Sequence, residues 1–188
     1  APCGTNRLLV VRLVNWQLSE INSVTFNGQE LDVIPGAVAT LRPTTAMAFY
    51  YLALGSECEC SASGTNGPTV GDINVNVSSQ RIGNVVAATV LENVDQTNPF
   101  RAAVQAAGST AFSPASPASY SFVIPQLQAG DMVLDGFAAN MGETSDGTAT
   151  AGRTDIHTSF HNDDEVFSAI PVTSAGSVTT TWAANPGS

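Results

Sequence analysis

The side chains best suited to do chemistry cluster near the end of the sequence. Two histidines, His157 and His161, stand four residues apart. Four acidic residues surround them: Asp155, Asp163, Asp164 and Glu165. Carboxylate oxygens are the ligands that calcium prefers in proteins. Two histidines at this spacing share one face of a strand but lie about 13 Å apart along it, so a bend must bring them to one metal ion.

Three interpretations of this cluster follow. The pattern is most typical of a solvated strand end and turn. A calcium-like site on the four acidic residues is the alternative, and calcium is then the one cofactor to consider. A transition-metal site that uses both histidines is the third interpretation.

Catalysis has little support in the sequence. Serine is abundant, but no Gly-x-Ser-x-Gly elbow presents a nucleophile, and only two histidines are available as its base. A sugar-cleaving site favours paired carboxylates beside aromatic residues, and no acidic residue lies in an aromatic-rich segment. We therefore predict a protein that is not an enzyme.

The cysteines favour disulfide chemistry over metal binding. Cys58 and Cys60 are separated by one residue, and a bond between them would be strained, so we expect Cys3 to pair with one of the two. The remaining thiol is then either free or bonded to a neighbouring molecule. The Cys-Glu-Cys spacing is too short for a typical zinc site and has no clear histidine partner.

Aromatic residues are the candidates for carbohydrate binding, because exposed rings stack against sugars. The candidates are Trp16, Trp182 and Tyr120, together with Tyr50 and Tyr51. Aromatic residues make up only 7% of the chain, which favours core or edge packing for each of them. Binding of cell-surface glycans is kept as the alternative.

The charge balance excludes several classes of partner. The formal net charge is -10, and the six basic residues include no lysine. Binding to nucleic acid needs clustered Lys and Arg, so it is excluded, and anionic membranes are disfavoured for the same reason. No apolar run reaches the length of about 18 residues that a membrane helix needs, so we expect no membrane insertion. An acidic surface keeps the protein soluble, with loops that collect divalent cations as the alternative.

Composition also indicates a folded, secreted chain. Of its 188 residues, 43% are hydrophobic and 12% are charged, a balance typical of one well-buried core. We predict a single domain over residues 1–188, with a short N-terminal extension at 1–6. We expect Ala1 to follow the cleavage of a signal peptide, which places the protein outside the cell or at the cell surface.

The elements that must position these residues are strands, because hydrophobic residues recur with short periods and never with a sustained helical period. Asn27-Gly28 is a hairpin turn signal, Pro35-Gly36 is expected to break a strand, and 84–91 is expected to be a central strand buried on both faces. Long loops are predicted at 55–71 and 93–118, a turn is predicted at 128–131, and a strand is predicted at 132–139. About ten short strands separated by turns predict an all-β, two-sheet antiparallel β-sandwich.

Five segments together resemble a family of bacterial secreted β-sandwich modules of jelly-roll type. The matching segments are Gly4–Val11, Val24–Gln29, Asn93–Phe100, Ala129–Asp135 and Ser177–Trp182. The resemblance implies a jelly-roll strand order, no catalytic centre, and a role in adhesion, binding or structure. The cysteines and the insertion around them depart from the family pattern. In the third segment, Asp95 is expected to accept backbone N–H groups in a turn, and Phe100 to plug the connection.

These features favour a subunit of an extracellular homopolymer, such as a filament, a pilus-like fibre or a surface sheath. The odd cysteine and the strongly apolar segment 45–54 motivate this prediction, and residues 1–14 are proposed to donate a strand to a neighbouring copy. The expected contact residues between copies are Leu8, Val10, Phe49, Tyr50 and Tyr51. The alternatives are a glycan- or partner-binding adhesion module and, last, a viral jelly-roll capsid or decoration protein.

Overall fold

A computed structural model describes residues 6–15, 21–42, 45–55, 71–78, 85–101, 118–139, 154–161 and 163–184. All the helical or extended segments assigned in these residues are extended: each is a β-strand. Every strand pairing is antiparallel. The all-β prediction is therefore confirmed.

The described residues form twelve strands. They are β1 (Arg7–Asn15), β2 (Ile21–Phe26), β3 (Gln29–Glu30), β4 (Asp32–Arg42), β5 (Thr45–Gly55), β6 (Ile73–Val77), β7 (Val85–Leu91), β8 (Ala118–Leu127), β9 (Met132–Ala139), β10 (Thr154–His161), β11 (Asp163–Pro171) and β12 (Gly176–Ala184). The chain divides into two compact units, Ala1–Phe100 and Arg101–Ser188. The single domain expected from the sequence stays a prediction.

A four-stranded sheet with the order β4-β5-β1-β7 forms the larger part of the first unit. Strand β1 lies between β5 and β7, and every residue from Arg7 to Val14 is buried. Apart from the two buried arginines, Arg7 and Arg12, these residues are aliphatic and β-branched, which suits a central strand covered on both faces. Of the segment 1–14 that was predicted to donate a strand, residues 7–14 thus lie in the middle of their own sheet.

A second, three-stranded sheet with the order β3-β2-β6 completes the first unit. One face of β1 contributes Leu9, Val11 and Leu13 to a core that also contains Val24 and Phe26 of β2. Since side chains alternate between the two faces of a strand, these residues of β1 all lie on one face. The two sheets of the first unit therefore share one hydrophobic core.

The predicted hairpin turn at Asn27-Gly28 is confirmed. Both residues have positive φ, 50° and 80°, as a tight two-residue turn between β2 and β3 requires. The Asn27 backbone N–H donates to the Asp72 carbonyl at 3.1 Å, and the Asp72 N–H donates to Asn27 Oδ1 at 3.2 Å. A Cβ at Gly71 would meet the side-chain amide of Asn27, so a larger residue there would require that side chain to move from its hydrogen bond with Asp72.

Two expectations about strands in the first unit are wrong. Pro35-Gly36 does not end a strand but lies inside β4, where Gly36 has a φ of 76°. Val33 pairs with Tyr50 and Val38 with Ala48, so residues 34–37 stand against Phe49 alone in an extended bulge.

The second wrong expectation concerns β7, which was assigned to the centre of a sheet. In the described part of the chain, β7 is the last strand of its sheet and pairs with β1 alone. Val86 and Val90 are 39% and 49% exposed. An uninterrupted apolar sequence therefore belongs to an edge strand with one open face.

The second unit contains a sheet with the order β10-β11-β9 and a two-stranded sheet of β12 and β8. Its core combines Leu127 at the end of β8 with Val133 of β9, Ile170 of β11 and Val172. Strand β11 is buried on both faces over residues 167–170, which matches its place between two neighbours. The predicted turn at 128–131 joins β8 to β9.

Candidate functional site

The histidine and acid cluster falls on the hairpin formed by β10 and β11. The strand register places His161 opposite Asp163, and Ser159 opposite Glu165. Asp164 lies opposite Phe160.

Asp155, the fourth acidic residue of this cluster, is separate from the others. It is exposed and pairs with Ser168, roughly 20 Å from the hairpin tip by the strand rise. Among the residues whose side chains the structure describes, no group of three or more possible metal ligands is found. The register thus places Asp155 towards one end of the hairpin and Asp163, Asp164 and Glu165 at the other, and the calcium-like site stays a prediction.

A buried polar pair that sequence reasoning missed joins Asp135 to Ser168. The two residues lie opposite each other on β9 and β11, and Ser168 Oγ donates a hydrogen bond to Asp135 Oδ1. Both side chains are buried beside the Val133 and Ile170 pair of the core. The signal was present, because each is a polar residue inside an apolar run, Asp135 within 132–139 and Ser168 within 166–170. Ser168 is fully buried and therefore cannot meet a substrate in this conformation.

Asp131 anchors the turn between β8 and β9. Its Oδ2 accepts the Gln128 N–H at 2.8 Å, and its Oδ1 accepts Arg101 Nε at 3.0 Å. The Gln128 hydrogen bond, and after it the Arg101 side chain, holds the pKa of Asp131 below its usual value. The Asp131 backbone N–H also donates to the Gln128 carbonyl, and its carbonyl accepts the Val172 N–H. The Asp131 carboxylate therefore stabilises the turn between β8 and β9.

Asp95 performs the role expected from the sequence. Its Oδ1 accepts the backbone N–H groups of Thr97 and Asn98 at 2.8 and 3.1 Å, which confirms the predicted turn. Next to it, Gln96 Oε1 accepts the N–H of Gly55 at 3.1 Å and so attaches this loop to the end of β5. Phe100 packs edge-to-face on Tyr51, with ring centroids 4.8 Å apart, as its expected plugging role requires.

The acidic residues whose hydrogen bonds are given above all bind groups of their own protein. Asp95 and Asp131 hold turns, and Asp135 holds a buried hydroxyl group. A carboxylate whose oxygens accept backbone N–H groups is stabilised in its charged form, which suits a structural part better than a general base. The geometry of these three residues can hold loops in place. It does not place a nucleophile beside a general base.

The predicted contact residues between copies divide into two groups. Leu8, Val10 and Tyr50 are buried within the chain, and burial raises the pKa of the Tyr50 phenol. Phe49 and Tyr51 are partly exposed. Within this set, only the latter two offer surface to a second copy in the folded chain.

The remaining candidates differ in how far the structure describes them. Trp182 is 1% exposed, so its ring is not offered to a sugar in this conformation. Tyr120 lies on β8 opposite Trp182 in the strand register. Outside the described residues lie Trp16, residues 1–5 of the extension at 1–6, most of the loops at 55–71 and 93–118, and the cysteines Cys3, Cys58 and Cys60.

The most distinctive surface of the first unit is instead the outer edge of β7, the side of the strand that faces away from β1. Alternate residues Val86, Ala88 and Val90 share one face and are exposed. The strand has no charged residue and no proline. Sequence reasoning missed this surface because an apolar run does not distinguish a central strand from an edge strand.

Within the described residues, no helix is long and apolar enough to cross a membrane. No family model matches the chain, and comparisons with curated proteins and with solved structures also gave no match.

Proposed function

We propose that this protein is an extracellular structural protein whose copies associate into a homopolymer, such as a filament, a pilus-like fibre or a surface sheath. The single observation that carries the proposal is the outer edge of β7. It is an uncharged sheet edge with two partly exposed valines, in a chain with a net charge of -10. Exposed edges of this kind template pairing with another chain, and proteins usually protect them.

The proposed architecture is a β-sandwich with jelly-roll order. In its support, each unit combines residues from two sheets in one core: Val11 with Phe26 in the first unit, and Leu127 with Ile170 in the second. Sandwich modules bury both inner faces and leave sheet edges for contacts. The resemblance of five sequence segments to secreted jelly-roll modules supports the same architecture.

The described acidic residues with assigned hydrogen bonds also support a structural role. Asp95, Asp131 and Asp135 all serve turns or a buried hydroxyl group. The adhesion alternative relied on exposed aromatic rings, and the buried Trp182 does not favour it. The polymer proposal uses surface that is free in the described chain.

Sedimentation velocity and negative-stain electron microscopy of the tag-free chain test the proposal. We expect the weight-average mass to rise with protein concentration, and fibres or sheets to form at the highest concentrations. Salt should strengthen association, because it screens the repulsion between copies of charge -10. A monodisperse monomer over the whole range of concentration and salt would refute the proposal.

A further inference from the structure

We propose that two copies join through β7, which pairs antiparallel with β7 of the second copy about a two-fold axis at Ala88. The inference rests on the proposed function and names the surface and the register of one contact between copies. A two-fold contact alone gives a dimer, so a polymer needs a second contact at another surface of the chain. The β7 pairing joins two four-stranded sheets into one continuous sheet of eight strands, with the two β7 strands at its centre.

The first step is the form of the edge. All seven residues of β7 pair with β1 in unbroken register, from Leu91 opposite Leu8 to Val85 opposite Val14. In the described part of the chain, no strand pairs with its other side. A regular, uninterrupted strand presents its outer N–H and C=O groups in the spacing that another strand needs.

The second step is the lack of protection on this edge. Natural edges are blocked by charge, by proline or by bulges. Strand β4, at the opposite edge of the same sheet, contains Pro35 and the bulge at 34–37. Strand β7 has neither, and it places Val86 and Val90 at 39% and 49% exposure. Within the described residues, neither charge, proline nor a bulge prevents a second chain from pairing with this edge.

The third step identifies the occupant as a second copy. The sequence of β7, Val-Val-Ala-Ala-Thr-Val-Leu, is nearly palindromic about Ala88. Two-fold antiparallel pairing places Val86 opposite Val90 of the second copy, and Ala87 opposite Thr89 of the second copy. Large residues therefore meet large ones and small residues meet small ones, as a self-complementary interface requires. Because β7 has no charged residue, the pairing places no like charges opposite each other within the strand.

Paired charge variants of the full-length chain test both the surface and the register. In V86K/V90K, each lysine faces a lysine of the second copy, so we expect the dissociation constant to rise at least about tenfold. In V86K/V90E, each lysine faces a glutamate, so we expect association close to that of the unchanged chain. V86K/V90K lowers the net negative charge, and this change alone would favour association. A loss of association in this variant therefore reports on the β7 edge itself.

V123K supplies the matched control, because Val123 is an exposed valine on β8, with 56% exposure. We expect it to associate as the unchanged chain does. Circular dichroism and thermal unfolding check that all variants fold. If folded V86K/V90K associates with unchanged affinity, the β7 surface is wrong while the proposed function stands.

The register has its own test. If V86K/V90E associates as poorly as V86K/V90K, the two-fold register is wrong, since a parallel pairing would set like charges against each other. If the unchanged chain never associates, the proposed function fails, and this inference fails with it. The three failures are thus distinguishable in one set of sedimentation measurements.

Discussion

The two edges of the four-stranded sheet differ in almost every feature that governs strand pairing. Strand β4 has eleven residues and contains Pro35-Gly36. It also has a bulge, in which four residues of β4 lie opposite the single residue Phe49 of β5. Strand β7 has seven residues in unbroken register and no proline or charge. One sheet thus has a blocked edge and an open edge. The difference teaches that exposure alone does not make a contact surface, because regular backbone spacing is also needed.

The same contrast extends to exposed side chains. Val33 on β4 is 42% exposed, as much as Val86 on β7. Val33, however, lies beside the bulge, where the pairing with β5 loses its register. Equal exposure at the two edges therefore provides matched positions, and the predictions use them.

The largest expected effect separates the middle of the sheet from its edges. Leu13 is fully buried on β1, so Leu13→Ala should lower the free energy of unfolding by about 2–5 kcal/mol through lost burial and the cavity left behind. Val90→Ala, at the edge, should cost less than about 1 kcal/mol. Urea unfolding followed by circular dichroism measures both. Equal losses in the monomeric chain would show that β7 is covered by other parts of its own chain.

A smaller loss is expected from the bulge that blocks β4. Gly36 has a φ of 76°, which other residues adopt at a cost, so Gly36→Val should destabilise the chain by about 1–2 kcal/mol. Association should not change, because β4 is not the contact edge. The same urea titration and sedimentation velocity on one preparation provide both values. An association that changes in parallel with stability would contradict the separation of the two edges.

A change in charge at β4 tests the comparison more directly. Val33→Lys should shift the dissociation constant less than about twofold, whereas V86K/V90K should raise it at least about tenfold. Val33 has the same kind of exposed side chain but lies on the blocked edge. Sedimentation equilibrium compares the variants. A loss of association in Val33→Lys as large as in V86K/V90K would break the comparison.

The smallest effect is expected at a position on neither edge. The pKa of Asp131 is lowered in the folded chain by the Gln128 N–H and by Arg101, so the unfolded chain binds its proton more readily. The carboxylate therefore contributes stability above its unfolded pKa, and this contribution is lost as pH falls through the folded pKa.

Asp131→Asn should consequently flatten the acid side of the stability curve while association at neutral pH stays unchanged. Unfolding midpoints measured in steps from pH 6 to about pH 2 test this expectation. The unchanged chain is the reference, and identical acid profiles for the two chains would show that the Asp131 corner contributes nothing to acid stability.

The sequence predicted much of the local structure. Strand β9 has the predicted bounds of Met132 and Ala139, and Asn27-Gly28 and Asp95 form the expected turns. Each of these depends on neighbouring residues, which local pattern captures. The place of β7 depends on which distant strands lie beside it, and a short apolar run carries no such information.

The candidate site shows the same limit. Asp135 and Ser168 are 33 residues apart, and only the register of β9 and β11 brings them together. The continued strand through Pro35-Gly36 was missed because Pro35 lies on an edge strand, where a proline is tolerated. Sequence patterns thus identified the turns, while sheet order decided which polar and apolar surfaces meet.

The pairing of Leu8 with Leu91 also has a consequence for the order of folding. Strand β1 pairs with β7 across a separation of 83 residues, one of the longest in the first unit. Contacts between distant residues form slowly, because a long loop must close before they are made. The outer edge of β7 is complete only after that closure. If copies pair through this edge as proposed, association must therefore follow the folding of the first unit, and the rate of that long-range closure limits how early it can begin.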